Sequence, residues 1–472
     1  MTFPSYPKYK DFGLAWLREI PCHWRIGTLR RLIISASNGT TANQIEWVND
    51  AIAVSRIETI STGEVNFDKV GFVENTAATT RFLLNEGDIL LSHINSLAMV
   101  GNVALYKGEQ PLVHGMNLLR LKPVRGLASS EWLIYWLKSK NIRQEFESRA
   151  KPAINQASIS TGSVLSTPAV IPPIDEQTQI AHFLDHETAK IDALIHEQER
   201  LIELLQEKRQ AVISHAVTKG LKPDVPMKDS GVEWLGRVPA HWTSSSIKRF
   251  CSLVKDGTHL PPPRVSEGIP LLSVRNIVGG EFVRRSDDSK ISENDYVALC
   301  RSFTPQQRDV LLAIVGATLG KTAIISDAMG QFHIQRSLAL FRADASKLNP
   351  HWLHWVFQSA GFQSLLWEYA GFSAQPGIYL GTLASFKIPV PPIKEQIEIN
   401  EWIGRQIDPM NTLIKEAESA VLLMKERRSS LISAAVTGKI DIRNWQPPAD
   451  SMVLNEGASE LGVEETAAGR KV

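Results

Sequence analysis

One long segment occurs twice in this chain. Residues 171–218 and 390–437 align at a constant spacing without a gap, and both begin with Pro-Pro-Ile-x-Glu-Gln and end with Ala-Val-Thr. A repeated segment of this length indicates internal duplication, so the chain is expected to be built from two similar halves.

Both copies are predicted to be long helices. Apolar residues recur at alternating steps of three and four, which is the spacing of a coiled-coil seam. A helix of roughly 40 residues is about 60 Å long and cannot bury its own apolar stripe. We therefore expect the two copies to pack on each other within one chain, with a coiled coil between chains as the alternative. The seam positions are Ile180, Leu184, Ile191, Leu194, Leu201 and Leu205 in the first copy and Ile399, Ile403, Met410, Leu413, Met424 and Leu431 in the second.

The ends and the middle of these helices carry further signals. Asp175 is a candidate N-cap, and Gly220 and Gly438 stand where C′ glycines would end a helix. Pro409 lies inside the second copy. A proline inside a helix removes a backbone hydrogen bond, so a kink is predicted there.

A second, shorter motif is also duplicated. Residues 10–24 read KDFGLAWLREIPCHW and residues 228–242 read KDSGVEWLGRVPAHW. Each half therefore starts with this tryptophan-rich motif, continues as a globular block and ends in a long helix. The paired tryptophans are interpreted as packing anchors, with base stacking as the less favoured role.

The globular blocks have diverged between the halves. Short apolar runs bounded by turn residues predict strands in both, and one amphipathic helix is predicted near 129–148 and another near 349–369. Faint echoes remain, such as Gly87-Asp88 against Arg308-Asp309. The predicted fold class is α/β (α+β), with a shared scaffold and different surfaces.

Composition and local sequence pattern argue against a membrane protein and against a secreted, disulfide-rich protein. No stretch reaches the roughly 18 apolar residues of a membrane span, and the N-terminus lacks the pattern of a secretory signal. The three cysteines are widely spaced, which fits a reducing cytoplasm rather than a disulfide framework. A net charge of +1 does not by itself indicate a nucleic-acid binder.

No pattern predicts catalysis or metal binding by this chain. Residues 315–322 resemble a P-loop, but only three residues separate the glycines where four are needed, and a strand is predicted to follow. The histidines and cysteines form no metal-binding spacing. Lys321 is interpreted as a contact to a backbone phosphate.

Two divergent blocks, each followed by a long helix beginning Pro-Pro-x-x-Glu-Gln, resemble the specificity subunit of type I restriction–modification enzymes. The motif Gly-x-x-Trp-Leu-x-x-x-Pro-x-His-Trp, present in both halves, is also typical of that family. The resemblance covers about residues 10–440. It implies two target recognition domains, each reading half of a bipartite DNA sequence, separated by an antiparallel helix pair.

The resemblance also implies partners. Two methyltransferase subunits would dock on the helices, with the twelve seam positions given above as the docking residues, and would methylate adenine with S-adenosylmethionine. Restriction subunits would hydrolyse ATP with Mg²⁺. These cofactors would belong to the partners, so this chain would be a non-catalytic, cytoplasmic DNA-binding subunit. The alternatives are a structural coiled-coil scaffold without a DNA role and a P-loop-like nucleotide-binding enzyme.

The resemblance assigns no particular base-reading residues, so candidates are chosen by side-chain chemistry in the loops. Arginine suits guanine, and asparagine or glutamine suits adenine. The candidates are Asn38, Thr40, Thr41, Arg56, His93, Asn95 and Asn117 in the first block and Lys255, Thr258, His259, Arg275, Asn276, Lys321 and Gln335 in the second.

The predicted domain organisation follows the repeats. It consists of a first target recognition domain (1–170), a central repeated helix (171–220), a second target recognition domain (221–389), a C-terminal repeated helix (390–438) and a disordered tail (439–472).

Overall fold

The computed structural model describes residues 3–14, 16–153, 156–260, 262–371 and 376–448. The chain divides into two compact units: unit 1 is Met1–Glu197 with Ala420–Val472, and unit 2 is Gln198–Ser419. Each unit contains one globular block, the first part of one long helix and the last part of the other. The units thus differ from the predicted domains, because each block packs on both helices.

Strands and helices alternate irregularly through the first block. The strands are β1 (Tyr9–Leu14), β2 (Leu17–Pro21), β3 (Arg25–Thr28), β4 (Ile33–Asn38), β5 (Ala51–Val54), β6 (Gly71–Glu74), β7 (Ile89–Ser92), β8 (Ile94–Asn95), β9 (Val103–Leu105), β10 (Leu112–Val113), β11 (Leu118–Pro123), β12 (Lys151–Ala153), β13 (Gln156–Ser158) and β14 (Pro168–Ile171). The helices are α1 (Leu29–Leu32), α2 (Ala77–Thr80), α3 (Ser130–Lys138), α4 (Lys140–Arg149), α5 (Thr161–Leu165) and the first long helix, α6 (Ile174–Lys219).

The second block follows a similar order. Its strands are β15 (Met227–Asp229), β16 (Arg237–Pro239), β17 (Thr243–Ser246), β18 (Cys251–Asp256), β19 (Ile269–Leu272), β20 (Ile277–Val278), β21 (Glu281–Phe282), β22 (Lys290–Ile291), β23 (Val310–Ala313), β24 (Thr322–Ile324), β25 (His333–Ile334), β26 (Leu338–Ala343) and β27 (Lys387–Val390). Its helices are α7 (Glu293–Cys300), α8 (Pro350–Gln358), α9 (Ala360–Glu368), α10 (Leu380–Ser385) and the second long helix, α11 (Ile393–Val436).

Both blocks are built around an antiparallel four-stranded arrangement. The order is β4-β11-β7-β9 in unit 1 and β18-β26-β23-β24 in unit 2, where β21 and β20 extend the sheet. Alternate residues of a strand point to opposite faces. Leu91 and Leu119 therefore pack with Trp132 in one cluster, while Leu90 and Leu118 pack in another. Burial of both faces explains why these strands read as continuous apolar runs.

A buried ion pair is repeated in the two sheets. Arg120 on β11 binds Asp88 just before β7, and Arg342 on β26 binds Asp309 just before β23 through two 2.8 Å contacts. A buried carboxylate is stable only when it is paired and hydrogen-bonded. The aspartates of the two sequence echoes therefore serve the same structural purpose.

Each helix predicted near the end of a block is in fact two helices. The break falls at Ser139, between α3 and α4, and at Ser359, between α8 and α9. Both serines have extended backbone, and each hydroxyl donates to the carbonyl three residues earlier, on Trp136 or Val356. Serine side chains compete with the helical hydrogen-bond pattern in this way, so the predicted single helices were wrong.

The two duplicated motifs contact each other in both units. His23 Nε2 lies 2.8 Å from Glu176 Oε2 in the first turn of α6. Likewise, His241 Nε2 lies 2.7 Å from Glu395 Oε2 in the first turn of α11, and Trp242 Nε1 donates to the other oxygen of Glu395. The histidine of the tryptophan-rich motif and the glutamate of the Pro-Pro motif thus form one contact that is present twice.

The neighbouring glutamine fastens each block to its helix. Gln177 Oε1 accepts from the N–H of Ser129, the N-cap of α3, and Gln396 Oε1 accepts from the N–H of Asn349, the N-cap of α8. Each glutamine Nε2 also donates to the carbonyl of the first proline of its own motif. Both glutamines are fully buried, so these bonds satisfy groups that water cannot reach.

The tryptophans of the shorter motif contact the opposite helix. Gly438, which follows α11, packs on Trp24, and Gly220, which follows α6, packs on Trp242. Both glycines have a positive φ, 74° and 73°, as predicted for C′ positions. In each unit, the start of one long helix and the end of the other therefore meet at one motif, which makes the helices antiparallel there.

Burial varies among the predicted seam positions of the two long helices. Ile180 and Leu184 in unit 1 and Ile399 and Ile403 in unit 2 are fully or almost fully buried. These four predicted docking residues belong to the core and cannot contact a partner. Ile191 and Met410 are also buried, while Leu205, Met424 and Leu431 are half-buried. The structure differs from the predicted seam in that Leu194, Leu201 and Leu413 are exposed.

The structure bears on two further predictions for the long helices, the N-cap at Asp175 and the kink at Pro409. Asp175 is not the N-cap, because α6 already begins at Ile174 and places Asp175 in its first turn. Helix α11 continues without interruption through Pro409, so the proline does not end the helix, and the kink there stays a prediction.

The predicted tail is partly packed. Ile440, Ile442 and Trp445 join the core of unit 1, and Gln179 Nε2 donates to the carbonyl of Trp445. Residues 439–448 are therefore ordered against the block, whereas the rest of the predicted tail, 449–472, lies outside the described residues. Among the helices described, none has the length and apolarity needed to cross a membrane.

Replacement of Arg308 by glycine is expected to stabilise the chain slightly. Arg308 has φ 70° where the equivalent Gly87 has φ 85°. A side chain in this conformation is strained, but glycine also increases the entropy of the unfolded chain, so the net gain should be about 0.5 kcal/mol. Urea unfolding measures this, with Gly87→Ala as the reverse control, expected to lower the stability by about 1–2 kcal/mol.

Loss of the Gln177 side-chain amide should lower the stability of the chain strongly. Gln177→Leu leaves a buried N–H and two carbonyls without partners, so the free energy of unfolding should fall by about 2–4 kcal/mol. Gln396→Leu should cost a similar amount, since its bonds are the same. Thr178→Val, at the adjacent exposed position, is the control and should change little. Equal urea midpoints for Gln177→Leu and Thr178→Val would contradict this role.

Candidate nucleic-acid interface

Three of the candidate residues in unit 1 line one recess. Thr40, Arg56 and Asn117 surround a cavity of about 210 Å³ that also includes backbone at Gly115. The loops meet through a bridge between Thr40 and Gly115, and the Thr40 N–H donates to the carbonyl of His114. A Cβ at Gly115 would lie 2.0 Å from the carbonyl oxygen of Ser55, so only glycine allows this close approach.

Arg56 provides the positive charge at this recess. Its side chain is exposed and lies 3.5 Å from Glu58, and both partners are in contact with water. Exposed ion pairs of this kind contribute about 0–1 kcal/mol, so a base or phosphate can displace Glu58 at low cost. Asn117 is also exposed, whereas Thr40 is buried and its hydroxyl accepts from the N–H of Ala42.

The remaining candidates of unit 1 do not line this recess. Asn38, at the end of β4, and Thr41 are exposed. Asn95 is half-buried and donates to Ser92. His93 is buried, and burial lowers its pKa, so it is neutral at physiological pH. A buried neutral imidazole is poorly suited to a phosphate contact.

A similar loop contact occurs in unit 2. Thr258 bridges Gln335, as Thr40 bridges Gly115, and the Thr258 hydroxyl donates to the carbonyl of Leu260. Gln335 Nε2 donates to the carbonyl of Leu271, which occupies its amide within the block. Lys255 is exposed on β18. These loops therefore hold the same place in both blocks with different side chains.

His259 faces a second cavity that the sequence did not predict. This cavity of about 580 Å³ is lined by His259, Arg336, Tyr369 and Tyr379, among others. Tyr379 is 87% exposed, and Arg336 is exposed, so a guanidinium and an aromatic face are both available to a ligand. His259 is paired with Asp256 at 2.7 Å. Arg336 was missed although it directly follows the candidate Gln335.

Arg275 and Asn276 are engaged inside their own block. Arg275 contacts Asp287 and Asp288, and Asn276 donates to Asp288 and to the carbonyl of Val283. Asn276 is fully buried, so its position gives it a structural role. Sequence chemistry alone could not distinguish this residue from an exposed base reader.

Lys321 lies apart from the other candidates of unit 2, in a cleft beside the long helices. In the P-loop-like segment, four backbone amides are occupied and are not free to bind a phosphate. The N–H groups of Gly316, Leu319, Gly320 and Lys321 all donate to backbone carbonyls. Strand β24 follows, as the sequence predicted.

The described residues contain no group of three or more His, Cys, Asp or Glu side chains arranged to hold a metal ion. The tryptophans predicted as packing anchors do pack: Trp24 and Trp242 are fully buried, and Trp16 and Trp234 lie against the two main cores. Base stacking by the two buried tryptophans is therefore ruled out.

Known proteins match this chain along most of its length. The putative type I restriction enzyme MjaX specificity subunit of Methanocaldococcus jannaschii is 28% identical over 456 residues, which are 93% of this chain and 99% of that protein. The type I restriction enzyme EcoKI specificity subunit of Escherichia coli is 22% identical, with 96% of each chain covered.

Comparison with solved structures also finds a type I restriction–modification protein. A solved chain from a study of complex assembly and conformational transition of the type I R-M system matches with a TM-score of 0.65 at 15% identity, covering 89% of this chain and 99% of that one. This likeness confirms the predicted α/β (α+β) fold with its long helix pair.

The sequence pattern of one family, the Type I restriction modification DNA specificity domain, matches residues 25–204 and again residues 241–422. The two matches correspond to the two halves predicted from the duplication, and each includes one globular block and most of the following long helix. The chain belongs to the family of type I restriction–modification DNA specificity proteins.

Proposed function

We propose that this chain is the DNA sequence-recognition subunit of a type I restriction–modification complex, in which each globular block reads one half of a bipartite target. The observation that carries the proposal is that the two blocks share the same core and the same contacts to the helices but expose different loop side chains. Both blocks have the same four-stranded core, the same buried ion pair and the same fastening to the helices, yet their loop residues differ.

The exposed loop chemistry suits base contacts. In unit 1, Arg56 can offer two parallel donors to guanine, and Asn117 can both donate to and accept from adenine. In unit 2, Arg336, Lys255 and His259 supply comparable groups. The net charge of only +1 means that partner subunits would provide many of the phosphate contacts.

The helices would set the spacing of the half-sites and dock the partners. Their central turns carry apolar side chains that the helix pair leaves in contact with water. A partner protein that covered these leucines would remove their apolar surface from water, which is favourable. They are Leu194, Leu201 and Leu204 on α6 and Leu413, Leu422 and Leu423 on α11.

The chemistry would reside in those partners. Two methyltransferase subunits would use S-adenosylmethionine to methylate adenine at N6 after flipping it from the duplex. Restriction subunits would hydrolyse ATP with Mg²⁺ and cleave unmethylated DNA. This chain would contribute recognition and assembly without catalytic residues of its own.

Footprinting with the methyltransferase partner present tests the proposal. Two protected half-sites separated by an unread gap are expected. Arg56→Ala should relax the sequence requirement in one half-site only, at a cost of about 1–3 kcal/mol in affinity. Arg125→Ala is the control, because Arg125 is an exposed arginine beyond the end of β11 that is away from Asn117, and it should leave both half-sites unchanged.

Several outcomes would contradict the proposed recognition of a bipartite target. A single continuous footprint, or none, would favour the structural scaffold. Loss of sequence preference in both half-sites of Arg56→Ala would contradict separate reading by the two blocks. ATP binding to the isolated chain with turnover would favour the nucleotide-dependent enzyme.

Matched shortening of both helices should change the gap without changing the half-sites. Deletion of residues 195–201 together with 414–420 removes one heptad from each helix and leaves both ends paired. Seven residues correspond to about 10 Å, or about three base pairs. The gap should shorten by that amount in a methylation assay on targets of varied spacing.

The single deletion of residues 195–201 is the comparison. It removes the heptad from α6 alone, so the two helix ends cannot both keep their contacts, and assembly should fail. Altered half-site sequences in the double deletion would show that the helices do more than separate the blocks.

A further inference from the structure

A polar cleft in unit 2 has cations but no carboxylate among its described lining residues. It has a volume of about 500 Å³ and lies between the two long helices and the globular block. Arg209 on α6 and Lys321 before β24 are its charged groups. Its other polar side chains are amides or a hydroxyl, on Gln206, Gln210, Thr322, Gln358, Gln363 and Asn411.

Arg209 has unused hydrogen-bonding capacity. Its Nη2 donates to Gln358 Oε1 at 2.6 Å, while its Nε is enclosed and has no partner among the described residues. Burial lowers the pKa of Arg209, but a guanidinium still carries its charge at neutral pH. A recessed cation without a counter-charge is costly, so an anionic ligand would be stabilised here.

A short chain of hydrogen bonds holds the acceptor of Arg209 in place. Burial lowers the pKa of His354 to about 3, so its ring is neutral. Its Nε2 can then accept from Gln358 Nε2 at 2.5 Å, while its Nδ1 lies 3.4 Å from the Thr322 hydroxyl. This arrangement turns Gln358 Oε1 toward Arg209 and orients the guanidinium.

The duplication supplies an internal comparison. At the constant spacing of the long helices, Arg428 is the equivalent of Arg209, and Asp192 is the equivalent of Asn411. In unit 1, Arg428 Nε donates to Asp192 Oδ1 at 2.8 Å. Unit 2 has an amide where unit 1 has the carboxylate, so Arg209 lacks the counter-charge that its equivalent possesses.

We propose that this cleft binds a phosphate group through Arg209 and Lys321. A guanidinium offers parallel donors that match phosphate oxygens, and a lysine ammonium adds a point charge. The side-chain amides around them can donate further hydrogen bonds. The volume is large enough for a nucleotide-sized molecule as well as for one phosphate. The source is either a phosphorylated small molecule or a backbone phosphate of a nucleic acid.

Calorimetric titration of the full chain tests the proposal, with pyrophosphate, ATP and a duplex DNA without the target sequence as separate probes. Asn411→Asp places a carboxylate beside Arg209, as in unit 1, and should weaken binding at least about tenfold. Lys321→Ala should also weaken it, and its exposed position makes misfolding a minor concern. Thr412→Asp is the control, because it adds the same charge at an adjacent exposed position of α11 that does not line the cleft, and it should leave the affinity unchanged.

The probes distinguish the two sources. Binding of pyrophosphate or ATP that Asn411→Asp abolishes identifies a small phosphorylated ligand. Binding of duplex DNA alone, weakened by the same variant, identifies a backbone phosphate. If no probe binds, or if every affinity is the same in Asn411→Asp, Lys321→Ala and the unaltered chain, the proposal is wrong. Loss of partner assembly alone in Asn411→Asp would also overturn it, because Arg209 would then face a protein carboxylate.

Discussion

The contact between the two duplicated motifs is the constraint on which the rest of the structure depends. In each unit, a glutamate in the first turn of a long helix meets the histidine of the tryptophan-rich motif, at Glu176 and His23 or at Glu395 and His241. The adjacent glutamine ties the same helix to the globular block. Because the tryptophan of the motif also packs on the end of the other helix, one small cluster fixes a block and two helix ends.

This arrangement separates what is shared from what can vary. The ion pair between Asp88 and Arg120, and its counterpart between Asp309 and Arg342, hold equivalent sheets without involving the outer loops. Loop side chains can therefore change with little effect on the core. A recognition protein needs this independence, because its specificity must differ between halves that fold in the same way.

The cleft at Arg209 shows that the two halves also differ in the long helices, outside the recognition loops. Asp192 neutralises Arg428 in unit 1, whereas Asn411 leaves Arg209 without a carboxylate in unit 2. Coulomb attraction falls when one partner loses its charge, while the cost of burying the other remains. At one position of the duplicated pair a carboxylate forms an ion pair, and at the other an amide leaves a cationic recess.

The sequence by itself determined the duplication, the long helices with their C′ glycines and the family, since these depend on spacing and local backbone preference. Contacts between distant residues decided the rest. Only the tertiary structure buried Asn276 beside Asp288 and brought Arg56 and Asn117 to one recess. The sequence shows which chemical groups a side chain carries, but whether a ligand can reach them depends on what the fold packs around them.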